Sequence, residues 1–168
     1  MRVTNELVLF WGANDVYSNF YYFPFVHQGI RFNWSEQAVM YRKAKLFGAD
    51  AIASKILKAN SPKECKMLGR SRQIPFDEEV WVKNRERIYK EVLREKFSYA
   101  RTENTILSTG DRLFAEASPF DKIWGIGLAE DHPDAENPDK WRGLNLLGKV
   151  LTEIREEIKS GRGGNGLG

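Results

Sequence analysis

The run from Asp77 to Phe97 constrains the fold more than any other stretch, because Trp81, Ile88, Val92, Leu93 and Phe97 keep helical spacing over the longest periodic segment of the chain. Lys83, Arg87, Lys90, Arg94 and Lys96 are expected to solvate the remainder of that helix. Shorter helices are predicted around it. One is capped by Asn33 or Ser35, runs through Glu36, Met40, Lys43 and Phe47, and stops at Gly48. A second covers Ala49 to Ala59. A third starts at Ser61-Pro62, where a side-chain cap precedes proline at the first helical position, and ends near Gly69. Thr102 to Thr109 and Leu144 to Ile158 complete the set.

Strand signals are fewer and shorter. Leu7 to Trp11 reads as a buried strand, Phe23 to Phe32 as a hairpin turning near Gln28-Gly29, and Arg112 to Glu116 as a strand. No parallel strand-helix-strand succession is evident, so the elements predict an α+β fold, a single helix-rich domain with a few short strands over residues 1–160. The glycine-rich residues 161–168 are expected to form a flexible tail.

A chain of 168 residues is long enough to bury a core without covalent staples. Its lone Cys65 excludes an internal disulfide, and Cys65 with His27 and His132 does not make a His/Cys ligand cluster for a structural metal. Cys65 itself reads as a small buried hydrophobe. The start, with five apolar residues from Leu7 to Trp11, is too short for a signal peptide or a membrane span, and a cytoplasmic protein is expected. A formal charge of +3 is milder than that of a dedicated duplex-binding domain.

Two places concentrate chemistry. Within Glu116-Ala117-Ser118-Pro119-Phe120-Asp121-Lys122-Ile123-Trp124-Gly125-Ile126-Gly127-Leu128, a carboxylate, an indole and two glycines lie close together. Ile123-Trp124 suits a short buried strand. Gly125 and Gly127 fit either a ligand approaching bare backbone or a bulge beside a core tryptophan, and both readings stay open. On the helix from Ser35, Glu36, Met40 and Lys43 share one face at i, i+4 and i+7. The helix dipole favours ionised Glu36, and apolar neighbours favour a lowered pKa at Lys43; a surface acid with a snorkelling lysine is the alternative.

The order Ser18-Asn19-Phe20, Trp34 to Gly48, Gly69-Arg70, Trp81, Glu116 to Leu128 and Trp141-Arg142-Gly143-Leu144-Asn145-Leu146-Leu147-Gly148 resembles the NADAR family, also called YbiA-like, from about Val8 to Arg155. The resemblance implies an N-glycosidase that splits a bond between ribosyl carbon and nitrogen and uses no metal or organic cofactor. Known family substrates are phosphoribosylamino-pyrimidine intermediates of riboflavin synthesis and ADP-ribose attached to guanine bases. It also implies that Glu36, Lys43 and Asp121 are catalytic and that Trp81 and Trp124 face the substrate. Ser18, Asn19, Phe20, Arg70, Gly125, Gly127 and Asn145 are further candidates for binding it.

The chemistry accounts for such a set. Breaking an N-glycosidic bond builds positive charge on the sugar, which Glu36 and Asp121 would stabilise while moving protons. A second route has Lys43 capture C1 as a Schiff base. The expected partner is a ribosylated base or nucleotide, ADP-ribosylated nucleic acid included, and no membrane. Two other readings compete: a non-catalytic reader of ADP-ribose or nucleotides, against which the acid and amine together argue, and a nucleic-acid-binding protein using the basic helix face.

Overall fold

In the computed structural model the described residues are 1–165, and residues 166–168 lie outside them. Strand β1 (Arg2–Val3) pairs antiparallel with β2 (Leu7–Phe10), which pairs in turn with β5 (Leu113–Glu116). A separate hairpin joins β3 (Phe25–His27) to β4 (Ile30–Phe32). Six helices are described: α1 (Ser35–Leu46), α2 (Asp50–Leu57), α3 (Pro62–Leu68), α4 (Glu78–Lys96), α5 (Ala100–Leu107) and α6 (Leu146–Asn165). The expected α+β class holds.

Local chemistry sets the clearest boundaries. The Ser61 hydroxyl accepts the Glu64 amide at 3.1 Å and Pro62 opens α3, the start that the sequence predicts. The β3–β4 turn passes through Gln28 and Gly29 at φ 51° and 79°, the paired left-handed conformation of a tight hairpin turn. The cap of α1 departs from expectation. Trp34 occupies the position with no side-chain bond to the helix, and Ser35 is already helical. The Asn33 amide instead donates to Gln37 Oε1 at 2.8 Å.

Strands β2 and β5 pair in parallel, Leu7 opposite Leu113 and Phe10 opposite Glu116. No local pattern announces a partner more than a hundred residues away. The chain divides into two compact units, one of Met1–Ser18 with Phe97–Gly168 and one of Asn19–Lys96.

In the first unit, Leu7 and Leu9 of β2 and Ala115 of β5 join Ala117, Ile126, Leu128 and Ala135 in a buried cluster, with Trp141 packed against it. Arg155 of α6, 2% exposed, donates to Thr109 Oγ1 at 3.0 Å and its guanidinium lies 5.1 Å from the Phe114 ring centre, a charge held by hydrogen bonds and an aromatic face. Helix α6 itself takes in the start of the glycine-rich stretch, to Asn165; the remainder of the expected tail lies outside the described residues.

In the second unit, α1 packs on α2, α3 and α4, and α4 also meets β3. Gln37 donates to the Ile56 carbonyl at 3.0 Å and so ties α1 to α2. Gly69 sits against Met40, leaving no space for a Cβ between α3 and α1. Lys96 corrects the reading of α4. It is 0% exposed, because it falls four residues from Val92 and three from Leu93 on the apolar stripe. Its amine is 3.5 Å from Ser35 Oγ, and burial pulls its pKa down to about 7.

Candidate functional site

Helix α1 presents Glu36, Met40 and Lys43 from one face, with Glu36 and Met40 buried. The Glu36 amide donates to the Asn19 carbonyl at 3.1 Å, and Asn19 Oδ1 accepts the Ser35 hydroxyl at 2.8 Å. Asn19 is therefore the brace at the start of α1, satisfying a first-turn amide that has no partner within the helix. Phe20, next in sequence, has the Lys66 ammonium 5.9 Å from its ring centre.

The Lys43 amine lies 5.3 Å from the ring centre of Trp81 and 4.9 Å from that of Phe76. Trp81 is buried on α4, whereas Phe76 stands exposed in the loop before α4 and meets Phe47 edge-on at 5.4 Å. Two aromatic walls desolvate the amine, and that burial lowers the Lys43 pKa. The Arg70 charge lowers it further, against the opposing pull of Glu36 and Glu78. Below, Cys65 of α3 is fully buried; burial first, then the negative charges of Glu36 and Glu64, push its thiol up to about 12, so it remains an un-ionised apolar filler. The second unit thus brings together Glu36, Lys43, Arg70 and Trp81, with Asn19 and Phe20 at the start of the same unit.

The other candidates stand in the first unit, where several of their polar groups close backbone hydrogen bonds. Asp121 Oδ1 accepts the amides of Ile123 at 2.9 Å and Trp124 at 2.8 Å, while the Asp121 amide donates to Ser118 Oγ at 3.0 Å. Segment 122–126 then offers its carbonyls to residues 142–147. Arg142 donates to Ile126, Leu144 to Lys122, Asn145 to Gly125, Leu146 to Ile123 and Leu147 to Trp124, at 2.8–3.1 Å. Ile123 and Trp124 consequently lie in a bend, not the expected strand, and Ile123 is exposed.

At Gly125 a Cβ would meet the carbonyl oxygens of Asp121 and Glu116, both at 2.9 Å. At Gly127, with φ +73°, it would meet Arg142 at 3.1 Å. Backbone fills the space beside both glycines. Asn145, at φ 53°, gives its side-chain amide to the Phe114 carbonyl at 2.8 Å and takes the Glu116 amide at 3.2 Å, clamping the end of β5. Ser18 is buried, its amide donated to the Asp15 carbonyl at 2.9 Å.

Sequence reasoning did not find Phe76. Its signal is weak, an aromatic after Pro75 in a loop with no periodicity. The buried Lys96 was findable from its spacing. Among the described residues no group of three or more His, Cys, Asp or Glu is placed to hold a metal ion, and no helix is long and apolar enough to cross a membrane.

Similarity to known proteins narrows what an acid and a desolvated amine on one helix face can serve. Residues 9–159 match the model of the NADAR domain, and the chain belongs to that family. It is 37% identical over 171 residues to Protein irg-1 of Caenorhabditis elegans, covering 92% of this chain and 81% of that protein. Over 124 residues it is 43% identical to N-glycosidase R617 of Acanthamoeba polyphaga mimivirus, 73% of this chain and 72% of the relative. The solution structure of the Escherichia coli protein YbiA superposes with a TM-score of 0.77 at 24% identity, over 96% of this chain and 89% of that one, a likeness of fold.

Proposed function

We propose that this protein hydrolyses the C–N bond between a ribosyl group and a base. The observation that carries this reading is the Lys43 amine between Phe76 and Trp81 on the helix face it shares with Glu36. A relative that is itself named an N-glycosidase supports the reaction type. ADP-ribosylated guanine and phosphoribosylamino-pyrimidines are the two substrate classes, both of which join ribose to nitrogen at C1.

Lys43 acts as the nucleophile. A ribosylamine opens to its imine, and the neutral amine adds to C1. Glu36 takes the proton that the amine loses and passes it to the departing base nitrogen, leaving C1 bound to Lys43 as a Schiff base. Water then adds to C1, the lysine leaves, and the ribosyl group is released as the aldehyde of ADP-ribose or of ribose phosphate. Desolvation between two rings raises the neutral fraction of the amine at a given pH, which is the state this step needs. Trp81 and Phe76 also offer faces on which a base or sugar can stack. Arg70 supplies a cation for a phosphate of the substrate.

Two measurements test this. Incubation with ADP-ribosylated guanosine and, separately, with a phosphoribosylamino-pyrimidine should release base from at least one. Borohydride added during turnover should leave the ribosyl mass on the peptide from Tyr41 to Phe47, and Lys43→Arg should abolish both adduct and activity. The rate should rise with pH until Lys43 is deprotonated, at a pH below that of an ordinary lysine. Base release by Lys43→Arg without any trapped adduct would leave the reaction to Glu36 with water. Binding of either compound without release would make the protein a reader, not an enzyme.

A further inference from the structure

One cavity is lined by none of the residues assigned above. It lies within the first unit, encloses about 430 Å³, and is bounded by Arg2, Trp11, Ala117, Ala129, Glu130 and Asp131. Trp11 follows the last residue of β2 and Ala117 the last residue of β5, so the cavity opens at the carboxyl ends of the parallel pair, where open sheets with parallel strands commonly hold ligands. Trp11 is 51% exposed although its backbone amide is pinned to Asp15 Oδ2 at 2.9 Å. Phe120, 82% exposed, lies beside it with ring centres 6.2 Å apart. The two rings are tilted by 52° to each other and contribute little to a core, so the exposed Trp11 face is available for a flat ligand to stack on.

The polar lining narrows the ligand. Glu130 and Asp131 bring carboxylates, which accept hydrogen bonds and repel phosphate. Arg2 donates through Nη2 to the Glu130 carbonyl at 2.7 Å and lies 3.6 Å from Glu136, while its Nε is buried without an acceptor. A flat ring that carries both N–H donors and nitrogen or carbonyl acceptors satisfies all three features, and a nucleobase is such a ring. The two alanines leave its plane room.

We propose that this cavity is a second base-binding site, in which a nucleobase stacks on Trp11 with its N–H groups toward Asp131 and an acceptor toward Arg2. The proposal goes beyond the glycosidase reading, because the cavity and all its lining residues belong to the first unit alone. That base belongs either to a free nucleotide or to one position of a polynucleotide.

Titration of ¹⁵N-labelled protein with GMP, AMP, inorganic phosphate and a trinucleotide tests it through the Trp11 indole resonance. GMP or AMP should shift that resonance and phosphate should not. Trp11→Ala should weaken nucleotide binding about tenfold, with Trp11→Phe retaining most of it. Glu36→Gln should bind at this cavity as the wild type does. A trinucleotide more than tenfold tighter than GMP identifies a strand as the source, and equal affinity identifies a free nucleotide. An unmoved Trp11 resonance with every nucleotide, or equal affinity in wild type and folded Trp11→Ala, overturns the proposal. Base release with a silent Trp11 overturns it alone, whereas a responding Trp11 without base release overturns the glycosidase reading and leaves the cavity assigned.

Discussion

The α1 face and segment 116–128 each hold a candidate carboxylate, and they commit their side chains differently. Lys43 points its amine between two rings, and its perturbed titration comes from burial and neighbouring charge. Asp121 spends one carboxylate oxygen on two backbone amides, Asn145 spends its whole amide group on β5, and Gly125 is required where backbone crosses backbone. A regular helix satisfies its own backbone, so its side chains remain available for chemistry. An irregular segment has no such ladder, and its polar side chains must close the backbone bonds first. The α1 face is therefore the place to look for rate, and the loop the place to look for shape.

The largest expected effect tests the first half of that contrast. Glu36→Gln keeps the volume and the helix but removes the charge and the proton acceptor, and turnover should fall about 10²-fold or more. The melting temperature should stay within a few degrees. If steady-state rates fall by less than tenfold while Glu36→Gln remains folded, the α1 face is not where the proton is moved.

Next in size is a change that should act on stability. Gly127→Ala forces a side chain into a left-handed backbone and against Arg142, at an expected cost of about 1–3 kcal/mol in urea unfolding. The residual folded enzyme should bind nucleotide with little change. A stable Gly127→Ala protein with lost substrate affinity would reverse the contrast and return the glycine to the ligand.

These two outcomes bear on how much the sequence reveals. Ser61-Pro62 sets the start of α3 because cap and proline act within four residues. The Glu36/Met40/Lys43 face was equally legible, since spacing on a helix is a property of the chain alone. The parallel register of β2 and β5 was not, because it is fixed by partners far apart in sequence. Ile123-Trp124 resembled a strand in its apolar, bulky side chains, yet their carbonyls accept the first amides of α6 and leave none for a ladder. The role of Ser35 escaped for a related reason: its hydroxyl turns to Asn19, a tertiary partner that competes with local capping.

The smallest effect is also the finest test, because Asp121 belongs to both halves of the contrast. Its Oδ1 holds the amides of Ile123 and Trp124, a capping duty worth about 1 kcal/mol. Asp121→Asn keeps an oxygen in that position and should unfold at nearly the same urea concentration as the wild type, whereas Asp121→Ala should lose about 1 kcal/mol. If Asp121 only shapes the turn, activity follows stability, with Asn close to wild type and Ala mildly impaired. If its charge acts on the sugar, Asn and Ala lose turnover alike, by about 10²-fold, although only Ala loses stability. Measuring kcat beside the urea midpoint for both variants separates the two, because the same oxygen is preserved in one and the same charge is absent from both.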